Sequence, residues 1–309
     1  MIYQKLGKTN LDISKVAFGC WELGGDKWEK RSDEGNIKAL RTALDCGINT
    51  FDTAVNYGSG HSEEIVGIAL KDRRRECIIA TKVRPESLRP DDVRQSCEGS
   101  LRRLQTGYID ILYIHWPNNG IPLKDTLSEF NKLKEENIIR AIGVSNFSIA
   151  QLKEAVSYSQ IDVVQLEYSL LQRNLEAEIL PFCIENSIAL TSYSSVAKGI
   201  LTGAYHFGGL SVSPDDFRSA RRLFIPEHRE KERELLVLLK EIAASKGAAI
   251  SQIAVSWILN QKGMTSAIVG TQSEKHLMEN IAAADIELTQ HELDILDKTS
   301  RKVLKSIDG

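Results

Sequence analysis

The feature that most constrains this chain is a repeat of supersecondary pattern rather than of sequence. Short, β-rich apolar runs alternate with amphipathic helical stretches along most of its length. Candidate strands fall at 15–19, 48–53, 77–82, 109–115, 141–144, 163–166, 189–193 and 266–269. They read as near-continuous apolar runs, the pattern of parallel strands covered on their outer face. Between them, residues 33–46, 62–71, 91–104, 127–136 and 149–157 read as amphipathic helices. In 250–261, Ile250, Ile253, Ala254, Trp257 and Ile258 share one helical face. The strand starts at Ile48, Cys77, Ile109 and Ala141 lie about 30 residues apart, the size of one βα unit. Eight such units predict an α/β fold, a closed (β/α)8 TIM barrel, with a doubly wound open sheet as the alternative.

One interval breaks the period. Between the strands at 189–193 and 266–269 lie a Gly/Ser-rich loop (199–214), a basic stretch (Arg218, Arg221, Arg222) and an extra charged helix near 227–246. A long excursion after a barrel strand serves the site at the strand C-terminal ends or adds an outer helix. A second additional helix, 290–299, follows the eighth unit, and residues 2–13 suit an N-terminal hairpin plugging the barrel bottom. No low-complexity linker interrupts the chain, so 1–309 reads as one domain.

Composition narrows the function classes. A chain of 309 residues buries roughly three quarters of its unfolded surface without a staple. With 42% hydrophobic and 26% charged residues and a net charge of −3, it is neither a disordered chain nor a broadly basic nucleic-acid binder. No segment approaches the ~20 consecutive apolar residues of a membrane span, so no membrane partner is expected. The start, Met1-Ile2-Tyr3-Gln4-Lys5, lacks the apolar run of a signal peptide. Cys20, Cys46, Cys77, Cys97 and Cys183 are odd in number and scattered, with no CxxC pair. The expectation is a cytoplasmic protein with no disulfide framework and no metal site. Oligomeric state is left open.

Polar residues at the C-terminal ends of barrel strands are the first place to look for catalysis. Asp52 ends the second candidate strand, Tyr57 follows in the next loop, Lys82 ends the third and His115 the fourth. Each has a bland reading: a turn cap, a loop aromatic, a snorkelling lysine, a core histidine. Together they suit proton donation to a carbonyl. A free phenol, with a pKa of about 10, is a poor acid near neutrality. A buried ammonium beside it lowers that pKa, and a carboxylate keeps the ammonium charged. Asp52 would thus hold Lys82, Lys82 would tune Tyr57, and a neutral His115 would orient the substrate oxygen. The set lacks a hydride source, which a nicotinamide cofactor would supply. Ser145, Asn146, Gln165 and Tyr193 could seat it. Gly270-Thr271-Gln272-Ser273 open a helix carrying Glu279 and Asn280, and a helix N-terminus suits phosphate. No GxGxxG follows a strand.

Phe51-Asp52-Thr53-Ala54 with Tyr57-Gly58 and Ser62-Glu63 resembles the signature of the aldo-keto reductase family. So do Ala80-Thr81-Lys82, Tyr108-Ile109-Asp110 running to His115, Ile142 through Phe147, and Gly270 through Glu279-Asn280. The match runs along nearly the whole chain and most resembles the bacterial general-stress and inositol-operon reductases. It implies a (β/α)8 barrel and NAD(P)H-dependent reduction of aldehydes and ketones, with Tyr57 as proton donor and Asp52, Lys82 and His115 assisting. It implies that Ser145, Asn146 and Gln165 hold the carboxamide while Tyr193 stacks on the nicotinamide. It extends the cofactor set to Gly19, Cys20, Trp21 and Asp52, to Ser194, Ser195, Val196, Lys198, Gly199 and Leu201, and to Gly270, Thr271, Gln272, His276, Glu279 and Asn280. NADP(H) is the expected cofactor and NAD(H) possible, because Gly270, Gln272 and His276 stand where the family commonly has Lys or Arg, with Lys275 close by. Ser194-Ser195-Val196 departs from the family's Ser-Pro-Leu.

The substrate pocket is expected from Trp21, Tyr57, His115 and Trp116, with Trp28 at the rim and Trp257 in a helix core. Aromatic walls favour a flat or apolar carbonyl. Cys20 reads as an inert buried thiol. Two other readings compete: a Schiff-base aldolase using Lys82, and a non-catalytic subunit sensing the nicotinamide redox state.

Overall fold

The computed structural model describes residues 1–26, 28, 32–271 and 273–308. Strands β1 (Tyr3–Lys5) and β2 (Asp12–Ser14) form an antiparallel hairpin. Eight parallel strands follow: β3 (Val16–Gly19), β4 (Thr50–Asp52), β5 (Ile78–Val83), β6 (Ile109–Ile114), β7 (Ile139–Ser145), β8 (Val163–Glu167), β9 (Ala189–Tyr193) and β10 (Met264–Gly270). They close into a barrel in chain order, with β10 pairing both β9 and β3. The open-sheet alternative is excluded by that closure.

Strand alternation sorts the side chains. Val16, Phe18, Phe51, Ile79, Leu112, Ile142, Val164 and Leu190 join the large outer core beneath the helices. Ile78, Ala80, Ile111, Tyr113, Ala141, Val163 and Ala189 form a separate inner core with Leu6, Leu11 and Ile13 of the hairpin. The hairpin therefore does plug the barrel. The same inward parity, continued up the strands, reaches Lys82, Ser145, Gln165 and Tyr193.

The expected helices are present, at Asp33–Asp45, His61–Leu70, Pro90–Arg103, Leu123–Glu135, Ile149–Tyr158 and Ile250–Leu259. Ile179–Asn186 adds one that the sequence pattern left unassigned. The Gly/Ser-rich loop contains a short helix, Ala204–Phe207, and the charged helix spans Pro226–Lys246. The last helix differs from expectation: it begins at Gln290 but runs on to Asp308. Leu296, Ser300, Val303 and Ile307 recur at helical spacing and are buried, so the apolar face continues past Thr299. Trp257 is fully buried, as its place on the helix face implied. Among the described residues no single helix is long and apolar enough to cross a membrane, and no cluster of His, Cys, Asp and Glu could hold a metal. All five cysteines are free.

Candidate active site

Tyr57 sits in a tight turn after β4, where Gly58 (φ 60°) and Ser59 (φ 55°) both adopt left-handed backbone. A Cβ on Gly58 would lie 2.2 Å from the Gly24 carbonyl oxygen, so this loop can lie against the loop bearing Trp21 only with glycine there. Below the turn, Lys82 is buried with all three ammonium protons committed. Its Nζ donates to Asp52 Oδ1 (2.6 Å), the Thr53 carbonyl (2.8 Å) and the Tyr57 phenol oxygen (3.3 Å). The phenol oxygen accepts from Lys82, which leaves its own O–H free to donate elsewhere. His115 follows β6, its ring edge-on to Tyr57 with centroids 6.1 Å apart.

The electrostatics match the expectation in part. Burial opposes the charge on Lys82, but Asp52 and the phenol oxygen outweigh it and raise the ammonium's pKa. Lys82 therefore stays charged. Burial, then Lys82, push His115 down to about 3, so its imidazole is neutral. Tyr57 corrects the simple expectation of a lowered pKa. Burial raises its pKa above the ordinary phenol value, with Asp52 adding to the rise, while Lys82 pulls the other way. The ammonium moderates a weak acid rather than making a strong one.

Around this floor opens a cleft of about 670 Å³. It runs from Tyr57, His115, Trp21 and Trp116 past Ser145, Asn146, Gln165 and Tyr193. Beyond these it is lined by Ser194, Ser195, Val196, Lys198 and Gly199, and then by Gly270, Thr271 and His276. Gly19, Cys20 and Asp52 also line it. Asn146 Oδ1 accepts from the Tyr193 hydroxyl (2.7 Å), and its Nδ2 donates to the His115 carbonyl (2.9 Å) and Ser145 Oγ (3.0 Å). Asn146 thus braces the cleft wall with both ends of its amide. Ser195 Oγ is spent on the Ile268 carbonyl (2.9 Å). Burial and Asp52 push the Cys20 thiol well up, which makes it inert.

The match of the Aldo/keto reductase family's sequence profile spans residues 15–301. The chain belongs to the aldo/keto reductase family. It is 34% identical over 292 residues to the aldo-keto reductase YhdN of Bacillus subtilis, covering 90% of this chain and 87% of that protein. It is 32% identical over 315 residues to the NADH-specific methylglyoxal reductase of Escherichia coli, covering 94% and 96%. A solved aldo-keto reductase from Klebsiella pneumoniae in complex with NADPH superposes with a TM-score of 0.78 at 28% identity, covering 96% and 95%.

Three residues of the expected cofactor set lie off the cleft of this aldo/keto reductase. Leu201 is fully buried in the outer core, Glu279 pairs with Lys275 at 3.7 Å, and Asn280 Nδ2 donates to the Gly270 carbonyl at 3.3 Å, bracing the wall from behind. Gln272 lies outside the described residues. The structure adds lining residues that sequence reasoning did not place there: Glu22, Asn56, Glu167, Thr202, Arg218 and Arg221. Lys198 is ion-paired to Glu167. Arg218 forms a fork to Asp216 (Nη2 at 2.5 Å), donates to the Tyr205 hydroxyl (2.8 Å) and stacks over Trp28 at 5.1 Å. Phe217 packs against Trp21 and Trp28, with centroids 5.4 and 5.2 Å away. Of the two places the sequence allows this excursion, at the site or as an outer helix, its basic stretch takes the first, with Arg218 and Arg221 lining the cleft.

Proposed function

We propose that the protein reduces aldehydes and ketones to alcohols with a nicotinamide cofactor, Tyr57 giving the proton to the substrate oxygen. One observation carries the reading: a charged, buried Lys82 held by Asp52 at 2.6 Å and donating to the Tyr57 phenol at 3.3 Å. The lining fits such a cofactor. The volume falls within the roughly 300–1,000 Å³ of ligand pockets. Amide and hydroxyl groups of Ser145 and Gln165 would hold a carboxamide, Tyr193 offers a flat ring, and the nine-residue helix Glu274–Ala282 presents its N-terminus beside Thr271 and His276. A reduced nicotinamide held there would supply hydride to a carbonyl carbon. Tyr57 would protonate the oxygen as its charge develops, and neutral His115 would orient that oxygen without competing for the proton.

NADPH is the cofactor we favour, with NADH the alternative. The helix N-terminus offers a positive dipole end to the 2′-phosphate, and His276 stands beside it without a guanidinium. The whole chain, 1–309, reads as one barrel domain of a cytoplasmic enzyme whose partner is a small-molecule carbonyl. Lys82 does not suit Schiff-base chemistry, because Asp52 keeps it protonated and a nucleophilic lysine must lose that proton. The test is a spectrophotometric screen of NADPH and NADH oxidation against a panel of aldehydes and ketones. Oxidation of NADPH with at least one carbonyl is expected; turnover of neither cofactor with any of them contradicts the proposal.

A further inference from the structure

The floor beneath Tyr57 contains a hydrogen bond that proton donation does not account for. Lys82 occupies only one oxygen of Asp52. The other, Oδ2, accepts from Gln165 Nε2 at 2.7 Å. Gln165 is 3% exposed and reaches Asp52 from β8, diametrically across the barrel from β4. This is a contact through the barrel interior, not between neighbouring strands.

The sequence around Gln165 makes room for it. The Tyr113 phenol, from β6, lies against Gln165 and Thr191, and burial pushes its pKa far up, so it stays a neutral O–H. The inward position beside Tyr113 on β7 is Gly143, where a Cβ would stand 2.3 Å from the Tyr113 ring. An alanine there would displace the ring that supports the amide. Gly143, Tyr113, Gln165 and Asp52 therefore stack from β7, β6, β8 and β4 into one buried arrangement.

We propose that Gln165 is a positioning residue of the proton donor: its amide N–H fixes the second oxygen of Asp52, and so the plane and charge of the carboxylate that holds Lys82 against Tyr57. The proposal rests on the carbonyl-reductase reading and goes beyond a carboxamide ligand. A carboxylate with one oxygen unbonded can turn about its χ2 angle. A donated amide proton also withdraws negative potential that would otherwise make Tyr57 hold its proton more tightly. With one N–H on Asp52 and a further hydrogen bond to the Tyr113 phenol, the Gln165 amide still has capacity left for a carboxamide.

The test uses Gln165→Glu and Gln165→Met. In Gln165→Glu the introduced carboxyl lies beside Asp52, and two carboxylates at hydrogen-bond distance cannot both ionise. Protonated, it still donates to Asp52; ionised, it repels. Its folded pKa is then raised above the unfolded value, so its stability contribution is full below about pH 4.3 and lost as pH rises through the folded pKa. In cofactor-free protein, the melting temperature of Gln165→Glu should fall relative to wild type between about pH 5 and 8. With saturating cofactor, its kcat should fall about tenfold over the same range while the carbonyl KM stays within a few fold. Gln165→Met should lose about tenfold in kcat at every pH. Gln165→Glu melting at a constant offset from wild type, with a parallel kcat profile, overturns the proposal even if cofactor affinity drops, because Gln165 is then a cofactor ligand only. If wild type reduces no carbonyl, the reductase reading fails, and the melting comparison still decides the Gln165–Asp52 contact.

Discussion

The two ends of the cleft are built differently. At the Tyr57 end, Lys82 has every proton assigned, both oxygens of Asp52 are bonded, and the groups come from strands of a closed barrel. At the His276 end, the wall joins the last residue of β10 to the first turn of the helix Glu274–Ala282, and the cations beside it are solvated or already paired: Lys275 is 81% exposed on its side chain and Lys198 is bound to Glu167. The first end is buried and fully bonded, where electrostatic effects are large. The second is exposed to solvent, where screening leaves single side chains little weight. Substitutions should therefore lose most at the floor and least at the rim.

The sharpest break would come from Lys82→Met. Removing the ammonium leaves Asp52 buried without its partner and deletes the charge that opposes burial at Tyr57, so the phenol becomes a still weaker acid. A loss of at least 10²–10⁴ in kcat is expected, with circular dichroism to establish that the variant is folded. A folded variant keeping more than half of kcat would place Lys82 outside the mechanism. Arg218→Ala lies midway along the cleft. It removes the guanidinium over Trp28 and loosens Phe217, and KM for ring-bearing aldehydes should rise up to about tenfold with kcat nearly unchanged. An unchanged KM would show that the excursion does not form the substrate wall.

His115 tests the floor through stability. Its folded pKa of about 3 lies below the ordinary 6.5, so between those values the unfolded chain binds the extra proton. Stability is then lost as pH falls below about 6.5, and His115→Asn should show a smaller fall in melting temperature from pH 7 to 4 than wild type. Parallel melting curves would mean that His115 is not held neutral. The smallest effect is expected at the rim. His276→Ala should reduce the NADPH/NADH affinity ratio only a few fold, measured by quenching of tryptophan fluorescence. A hundredfold change would contradict the picture of a weak adenosine clamp.

What could be read from the sequence follows the same division. Asp52, Lys82 and His115 were legible because strand ends mark themselves by apolar runs, and barrel closure then brings them together. The Gln165–Asp52 contact was not legible, since it joins residues on opposite strands through parity and barrel geometry that no local pattern encodes. Arg218 was visible as part of a basic stretch in an excursion that could serve the site or pack outside it, and Phe217 was not singled out, because no periodicity says where an excursion folds back. The sequence pattern predicts the final helix only to Thr299, although Val303 and Ile307 continue its buried face. The raised pKa of Tyr57 was missed for a different reason. The sign of Lys82's influence was right, but the depth of burial that outweighs it exists only in three dimensions.

The central claim is that the Tyr57 hydroxyl donates the proton and does nothing else the reaction needs. Tyr57→Phe removes that hydroxyl and leaves the ring against His115 and Trp21. Measured together, the kcat of carbonyl reduction and the cofactor dissociation constant separate chemistry from binding. The account predicts a fall in kcat of about 10²–10⁴ with cofactor affinity within a few fold of wild type. A variant that retains more than half of the wild-type kcat would contradict it.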